Sequence, residues 1–142
     1  MSTRMVDTDV YSFLTGTNAR MKSQYRQHVE SYGVALSFVT VGEVYVGIMK
    51  KIRRGDWKQS RLEQFERSVK QLLVIPYDME ICRIYAELRT SLKTPSGSDR
   101  VIPSNDLWIA ACAMRHSLPL VTHNLKHFRN IPGLEVITAA AW

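Results

Sequence analysis

Cysteine is scarce in this chain. Only 2 of its 142 residues are cysteine, Cys82 and Cys112, and they form no C-x-x-C pair. A small secreted domain held together by disulfides would carry more of them, so a reduced, cytoplasmic setting is expected. Both residues lie in helical-looking sequence, where we interpret them as small buried hydrophobic side chains and not as reactive thiols.

The sequence also has no long uninterrupted apolar run. The most apolar-looking stretch, Val34–Met49, contains Glu43 and has the pattern of a strand followed by a helix. A transmembrane helix needs about 20 consecutive apolar residues, so we expect no membrane span and no membrane partner. The N-terminal residues do not show the basic, apolar and cleavage-site order of a signal peptide.

Repeats, low-complexity tracts and linker-like segments are missing as well. Apolar residues make up 45% of the chain and charged residues 23%, a composition that excludes an intrinsically disordered protein. A length of 142 residues is that of one ordinary domain. The sequence therefore predicts a single domain over residues 1–142.

Positive charge is in excess. The chain has 19 Lys and Arg against 13 Asp and Glu, which gives a net charge of +6. This balance favours a polyanionic partner such as nucleic acid, an anionic membrane surface or an acidic protein segment. The basic run Lys50–Arg54, with further basic residues up to Lys70, is equally consistent with a solvated helix face and with phosphate binding. Trp57, within this region, is typical of a partly buried or interface residue.

Short apolar segments alternate with longer amphipathic ones along the whole chain. Strands are predicted at Arg4–Asp7, Val34–Ser37, Leu72–Ile75, Leu120–Thr122 and Glu135–Ile137. Helices are predicted at Thr8–Leu14, Arg20–Tyr32, Thr40–Arg54, Ser60–Gln71, from a cap at Asp78 to Leu92, and from a cap at Ser104 to His116. This alternation predicts βαβ units, a central mainly parallel sheet and a three-layer α/β/α sandwich.

Four polar residues that are far apart in sequence fall at comparable places in the predicted fold. Asp7 ends the first strand, and Asn124 follows the Leu120–Thr122 strand. Glu43 and Asp106 each lie in the first turn of a helix. In open parallel sheets, active sites form beyond the carboxyl ends of the strands, so these residues are candidates for one site.

Each of these acidic residues also has an ordinary structural interpretation. Asp7 and Asp9 are acceptable turn or cap residues, and Asp106 would stabilise its helix through the dipole by about 0.3–1 kcal/mol. Glu43 is acceptable as a solvated helix residue. Asp106 is the most informative of them, because the rest of its helix is almost wholly apolar.

Considered together, the carboxylates indicate a metal site. Several carboxylates brought close to one another repel, and their pKa values rise unless a cation neutralises them. Hard oxygen ligands suit Mg²⁺ or Mn²⁺, and such a site can support phosphodiester cleavage. Ser37 and Thr122 end strands beside the expected cluster and could hydrogen-bond a carboxylate or a water there. His123 and His127 are four residues apart, but no further zinc ligands are evident, so we interpret them as surface residues near the site.

Four sequence blocks carry a family resemblance that extends over nearly the whole chain. Val6–Val10 is similar to the pattern V/L-D-T-N/D-V. Ser37–Val44, followed by Gly47, is similar to S-x-x-T-x-x-E-L-x-x-G, and Pro103–Ala110 is similar to P-x-x-D-x-x-I-A. The fourth block resembles V-T-x-D/N-x-x-x-F followed by a P-G-L turn, and comprises Val121–Asn124, Phe128 and Pro132–Leu134. In this order the blocks resemble a PIN-domain ribonuclease, specifically the VapC-type toxin of a VapBC toxin–antitoxin pair.

The resemblance implies roles for individual residues. Asp7, Glu43 and Asp106 take the three acidic positions of the family, and they would hold Mg²⁺ or Mn²⁺, with Glu43 acting through water. Asn124 stands where many members have Asp. Asp9 stands where Asn is also common, and it would add negative charge.

The resemblance also implies an activity and partners. The activity is metal-dependent endoribonuclease cleavage that inhibits growth or translation. The partner is a VapB-type antitoxin whose C-terminal segment covers the active-site groove. The toxin would form a homodimer, or a heterotetramer or larger assembly with the antitoxin, and we place the antitoxin contacts on the basic helices from Thr40 to Gln71.

Two other functions are compatible with parts of the sequence. Asp7–Asp9 has the D-x-D form of haloacid-dehalogenase-type phosphatases. That family expects Thr or Val where Tyr11 stands, and a late acidic pair where the chain has Thr122, His123 and Asn124. The second alternative is a catalytically weak PIN-like module that binds RNA or a partner protein, which the neutral side chain of Asn124 would suit.

Overall fold

A five-stranded parallel sheet forms the centre of the protein in a computed structural model that describes residues 2–140. The strands are β1 Thr3–Val6, β2 Gly33–Ser37, β3 Leu73–Ile75, β4 Leu120–Val121 and β5 Val136–Ile137. Their order in the sheet is β3-β2-β1-β4-β5, and all four pairings are parallel. The carboxyl ends of the strands therefore share one edge.

Neighbouring residues of each strand point to opposite faces of the sheet, and each face is covered by helices. The helices are α1 Thr8–Thr15, α2 Ala19–Arg26, α3 Phe38–Arg53, α4 Ser60–Val69, α5 Met79–Ser91, α6 Ser104–Arg115 and α7 Leu125–Phe128. Met5 packs in a core with α5 and α6, whereas Val6 packs in a second core with α1 to α4. Both faces are therefore buried, as in other parallel sheets. The predicted three-layer α/β/α sandwich is confirmed.

Helix α6 is the most deeply buried helix, as its apolar sequence predicts. Leu107 and Ile109–Ala113 are all buried against the sheet and α5. Asp106 lies in its first turn, at the end nearest the carboxyl edge of the sheet. An apolar helix thus presents one carboxylate to that edge.

Several predicted boundaries need correction. Helix α2 ends at Arg26 and not at Tyr32, because the next residues form successive turns such as the hydrogen bond from Val29 N to Arg26 O at 3.0 Å. Gly33 therefore begins β2 instead of terminating a helix. The first residue of α6 is Ser104, which makes no capping hydrogen bond.

Other turn and cap predictions are confirmed. The Asp78 carboxylate accepts a hydrogen bond from Ile81 N at 2.7 Å and caps α5. Gly55 has a φ of 82° just after α3, a conformation that glycine adopts more readily than other residues.

Cys112 is fully buried and Cys82 is half-buried. Among the residues described, no helix is both long and apolar enough to cross a membrane.

Candidate active site

The sheet register places Asp7 beside Thr122. Val6 pairs with Val121, and the amide of Asp7 donates a hydrogen bond to the Val121 carbonyl at 3.1 Å. The Thr122 hydroxyl donates to Asp7 Oδ2 at 2.5 Å. Asp7 Oδ1 accepts from Val10 N at 2.9 Å, so the same carboxylate also caps α1.

The carboxylate of Asp7 is almost completely removed from water. The residue is 3% exposed, and burial raises the pKa of its carboxyl to about 7. The hydrogen bonds from Thr122 and Val10 lower this pKa, while the negative charges of Asp9 and Asp106 raise it further. Asp7 is therefore a buried acid in a negative field, an environment that a bound cation would stabilise.

Glu43 is held in place by two neighbours. The Thr8 hydroxyl donates to Glu43 Oε1 at 2.5 Å, and Asn105 Nδ2 donates to Glu43 Oε2 at 3.2 Å. The Thr8 hydroxyl also lies 3.1 Å from that of Thr40, which is fully buried one turn before Glu43 on α3. Glu43 is therefore oriented by α1, α3 and α6 together.

Asp106 is paired with His127. Its Oδ2 lies 2.6 Å from His127 Nδ1, and both side chains are about one fifth exposed, at 20% and 22%. Burial raises the pKa of the Asp106 carboxyl, the hydrogen bond and charge of His127 lower it, and the charges of Glu43 and Asp9 raise it again. Asp106 thus lies close enough to Asp7, Asp9 and Glu43 to interact with each of them electrostatically.

The remaining predicted residues have different placements. Asn124 lies at the N-terminal end of α7, and its backbone N–H donates to the Thr122 hydroxyl at 2.9 Å. Asp9 is exposed in the first turn of α1. The Ser37 hydroxyl accepts from Val39 N at 3.0 Å and contacts Cys112 Sγ at 3.5 Å. Ser37 therefore caps α3 and contacts α6, and its bonded partners include no carboxylate.

Sequence reasoning missed two residues that orient the Glu43 carboxylate, Thr8 and Asn105. Thr8 and Asn105 lie directly beside Asp7 and Asp106 in sequence, so adjacency was their only signal. His123 and His127, which we expected near the site without specific partners, bind different groups. His127 contacts Asp106, and His123 Nδ1 lies 2.5 Å from the hydroxyl of Tyr25.

A groove with a volume of about 960 Å³ runs from this carboxylate cluster between α1, α3 and α4. Thr8 and Glu43 line one part of it, and Lys51 lines another, about two helical turns further along α3. Two cations lie against Trp57 in the groove, with Lys51 Nζ 4.1 Å and Arg61 Cζ 4.3 Å from the ring centre. The groove is therefore acidic at one part and basic at another.

The same fold and residue pattern occur in known proteins. The PIN domain family matches residues 4–134. The chain is 33% identical to ribonuclease VapC2 of Rickettsia felis over 101 residues, which cover 71% of this chain and 70% of that protein. It is a PIN-domain protein of the VapC family. It is 27% identical to ribonuclease VapC1 of Haemophilus influenzae over 132 residues, covering 92% and 93%.

Solved structures of the family superpose over almost the full chain. The structure of VapBC-1 from nontypeable Haemophilus influenzae gives a TM-score of 0.75 at 26% identity and covers 96% of this PIN domain and 97% of that chain. The structure of VapBC2 from Rickettsia felis, bound to a DNA fragment from the promoter, gives 0.70 at 25% identity and covers 96% and 98%. The haloacid-dehalogenase alternative is therefore wrong, since the D-x-D segment belongs to a PIN fold.

The donor chemistry of this PIN domain fits a hard divalent cation. Asp7, Glu43, Asp106 and Asp9 supply oxygen ligands or negative charge, and a cation would relieve the raised pKa of Asp7. Within residues 2–140, no three His, Cys, Asp or Glu side chains are already arranged to hold a metal ion. A cation would therefore have to draw these carboxylates closer together than they are in this structure.

Proposed function

We propose that this chain is the endoribonuclease toxin of a toxin–antitoxin pair, and that it requires a divalent cation, Mg²⁺ or Mn²⁺. The main support is the buried Asp7 carboxylate, whose pKa is raised to about 7 beside Asp9 and Asp106. The proteins of similar sequence that carry the name ribonuclease support the reaction class.

In this proposal the carboxylates bind the metal in two different ways. Asp7 and Asp106 hold the metal directly, and Glu43 contributes through a water molecule. A bound cation would polarise the attacking water and stabilise the charge that develops on the phosphate. Each carboxylate is oriented by a hydrogen bond from a neighbour. Thr122 orients Asp7. Glu43 is oriented by Thr8 and Asn105, and Asp106 by His127.

The proposal predicts that chelation stops RNA cleavage. Cleavage of total RNA by the purified chain should disappear in excess EDTA and return on addition of Mn²⁺ or Mg²⁺, because without a cation the carboxylates repel the phosphate. Gel electrophoresis of the products measures this, with Ca²⁺ and Zn²⁺ additions as controls for the choice of metal. Equal cleavage with and without chelator would exclude the metal mechanism.

The alternative function, a catalytically weak RNA- or partner-binding module, makes the opposite prediction. Asn124 supports it, because a side-chain amide supplies no charge to the site. RNA binding without any metal-dependent product would favour this alternative.

Asn124 also limits how many cations the free protein can hold. Three carboxylates are sufficient for one Mg²⁺ that keeps several waters, whereas a second cation about 3.5–4 Å away needs more negative charge. We predict one strong site in the free protein and a second cation only with RNA. Asn124→Asp should tighten metal binding by about tenfold or more, because it adds one charge to the site.

Calorimetric titration of Mn²⁺ into wild type and Asn124→Asp tests this prediction. Asn124→Ala is the matched neutral control, and it should reduce activity less than Asp7→Asn, Glu43→Gln or Asp106→Asn does. Two strong sites in the free wild type, or unchanged affinity after the charge is added, would contradict the role given to Asn124.

We also propose that a VapB-type antitoxin binds this chain through its C-terminal segment. A related structure at 26% identity is that of VapBC-5 from Mycobacterium tuberculosis, a member of the VapBC family of toxin–antitoxin systems. The groove between α1, α3 and α4 offers apolar walls at Val44, Ile48 and Phe65, which suit the apolar face of a helical segment. The toxin is proposed to be a homodimer that acts in the cytoplasm, alone or in a heterotetramer or larger assembly.

Charge reversal in the groove should weaken this complex. Lys51→Glu combined with Arg61→Glu is expected to raise the Kd of the antitoxin encoded with this chain by about tenfold or more, since both cations line the groove. Lys50→Glu combined with Arg67→Glu is the matched control. It changes the same two helices by the same charge outside the groove, so its Kd should stay within about threefold. Equal Kd values for the two double variants, or crosslinks only on the α5–α6 side, would refute this placement.

A further inference from the structure

Tyr25 lies directly beneath the loop that carries Thr122 and Asn124. This residue lies in the last turn of α2 and is fully buried. Its ring stacks on that of Phe13, with 5.9 Å between the ring centres and 16° between the ring planes. Helix α2 contributes none of the proposed site carboxylates. The packing of the ring explains why an aromatic residue stands here, but it does not explain the hydroxyl.

The Tyr25 hydroxyl makes four polar contacts, all to residues in the last fifth of the chain. It lies 2.5 Å from His123 Nδ1, 3.3 Å from the Thr122 carbonyl oxygen, 3.4 Å from the Thr138 hydroxyl and 3.4 Å from Ala139 N. A tyrosine hydroxyl is protonated near neutral pH and has one proton to donate. Three of the four contacts are satisfied when that proton goes to Thr122 O and the oxygen accepts from Ala139 N–H and from His123 in the tautomer that carries its proton on Nδ1.

Thr122 joins this buried hydroxyl to the candidate active site. Its carbonyl accepts from Tyr25 at 3.3 Å, its hydroxyl donates to Asp7 Oδ2 at 2.5 Å, and the same hydroxyl accepts from Asn124 N at 2.9 Å. The orientation of one residue thus determines both how Asp7 is held and where α7 begins. Tyr25 is a side chain from another helix, 97 residues earlier, that hydrogen-bonds this residue.

We propose that Tyr25 is a positioning residue for RNA cleavage, whose hydroxyl clamps residues 122–124 so that Thr122 holds Asp7. This role rests on the proposed function. It differs from a purely structural role in one respect. Loss of the hydroxyl alone, with the ring retained, should impair turnover more than substrate binding, because Tyr25 is buried and does not contact the groove.

The test compares Tyr25→Phe with Tyr32→Phe. Both changes remove one tyrosine hydroxyl, but Tyr32 stacks under Arg4 just before β2, at the opposite edge of the sheet from Asp7. With a fluorescent single-stranded oligoribonucleotide that wild type cleaves in Mn²⁺, Tyr25→Phe should lower kcat by about tenfold and leave KM within about twofold. Tyr32→Phe should match wild type in both constants.

NMR spectra of the backbone amides, recorded on the protein in EDTA, provide a readout that does not depend on turnover. In ¹H–¹⁵N NMR spectra, the signals of His123 and Asn124 should shift or broaden in Tyr25→Phe and remain in place in Tyr32→Phe. In wild type, the Tyr25 hydroxyl proton should exchange slowly and show cross-relaxation with Thr122 and the His123 ring. This last measurement needs no variant, so it applies even where Tyr25→Phe fails to fold.

Several results would overturn the proposal. These are an unchanged kcat, a loss expressed only in KM, unaltered loop signals in a folded Tyr25→Phe, and the lack of the slowly exchanging hydroxyl proton. If wild type cleaves no RNA with any divalent cation, the proposed function fails. The NMR measurements then decide separately whether Tyr25 clamps the loop.

Discussion

Removal of any one of three negative charges is expected to abolish most RNA cleavage. Asp7→Asn, Glu43→Gln and Asp106→Asn should each lower kcat/KM by about 10²–10³-fold, a loss typical of removing one electrostatic group from an active site. Each change keeps the shape of the side chain, so the fold should persist. Initial rates on RNA in Mn²⁺ measure the loss, and circular dichroism checks the fold.

Expression in growing cells gives a second measure of the same prediction. Each of the three variants should relieve the growth arrest that the wild type causes when it is expressed without antitoxin. Asp56→Asn and Glu63→Gln are matched controls, because they remove the same charges from exposed positions away from the site. If all three site variants remain toxic, the active site has been placed wrongly.

Much of the fold was predictable because it depends on the spacing of apolar residues along the chain and on where the carboxyl ends of parallel strands meet. Alternating apolar strands and amphipathic helices predicted a parallel sheet with two covered faces, and the pairing of Val6 with Val121 confirms that arrangement. Since the carboxyl ends of parallel strands meet at one edge, the proximity of Asp7 to Thr122 followed from the same reasoning. Asp106 could be singled out because it was a charge on an apolar helix.

The details that failed depend on side-chain direction and local turns. Ser37 ends β2 as expected, but its hydroxyl caps α3 and contacts Cys112, a choice that strand assignment alone does not determine. Residues 27–32 continue the polar pattern of α2, and only the hydrogen bonds of successive turns distinguish them from helix. The pairing of His127 with Asp106 joins two helices through particular rotamers, which sequence spacing cannot specify.

The metal-free protein is expected to lose stability as pH rises from about 4 to about 7. The pKa of the Asp7 carboxyl is raised to about 7 in the folded protein, against an ordinary value of 3.8. Between these values the folded protein binds a proton that the unfolded chain releases. The free energy of unfolding therefore falls with increasing pH, in total by on the order of 4 kcal/mol. Burial of Asp106 raises its pKa as well and adds a contribution of the same sign.

Asp7→Asn isolates the contribution of Asp7, because asparagine keeps the shape without the charge. In EDTA at pH 8 the variant should be more stable than wild type by up to on the order of 4 kcal/mol, and the two proteins should converge near pH 4. Urea unfolding followed by circular dichroism from pH 4 to 8 measures both curves, with Asp56→Asn as the control for an exposed carboxylate. Mn²⁺ should stabilise wild type at pH 8 and Asp7→Asn much less, because a cation that binds only the folded state neutralises the Asp7 carboxylate, which is ionised at that pH. Two results would contradict the view that the ionised Asp7 carboxylate destabilises the metal-free protein while serving to hold a metal ion. One is a wild-type stability curve that is flat or rises between pH 4 and 7. The other is an Asp7→Asn variant that is less stable than wild type in EDTA at pH 8.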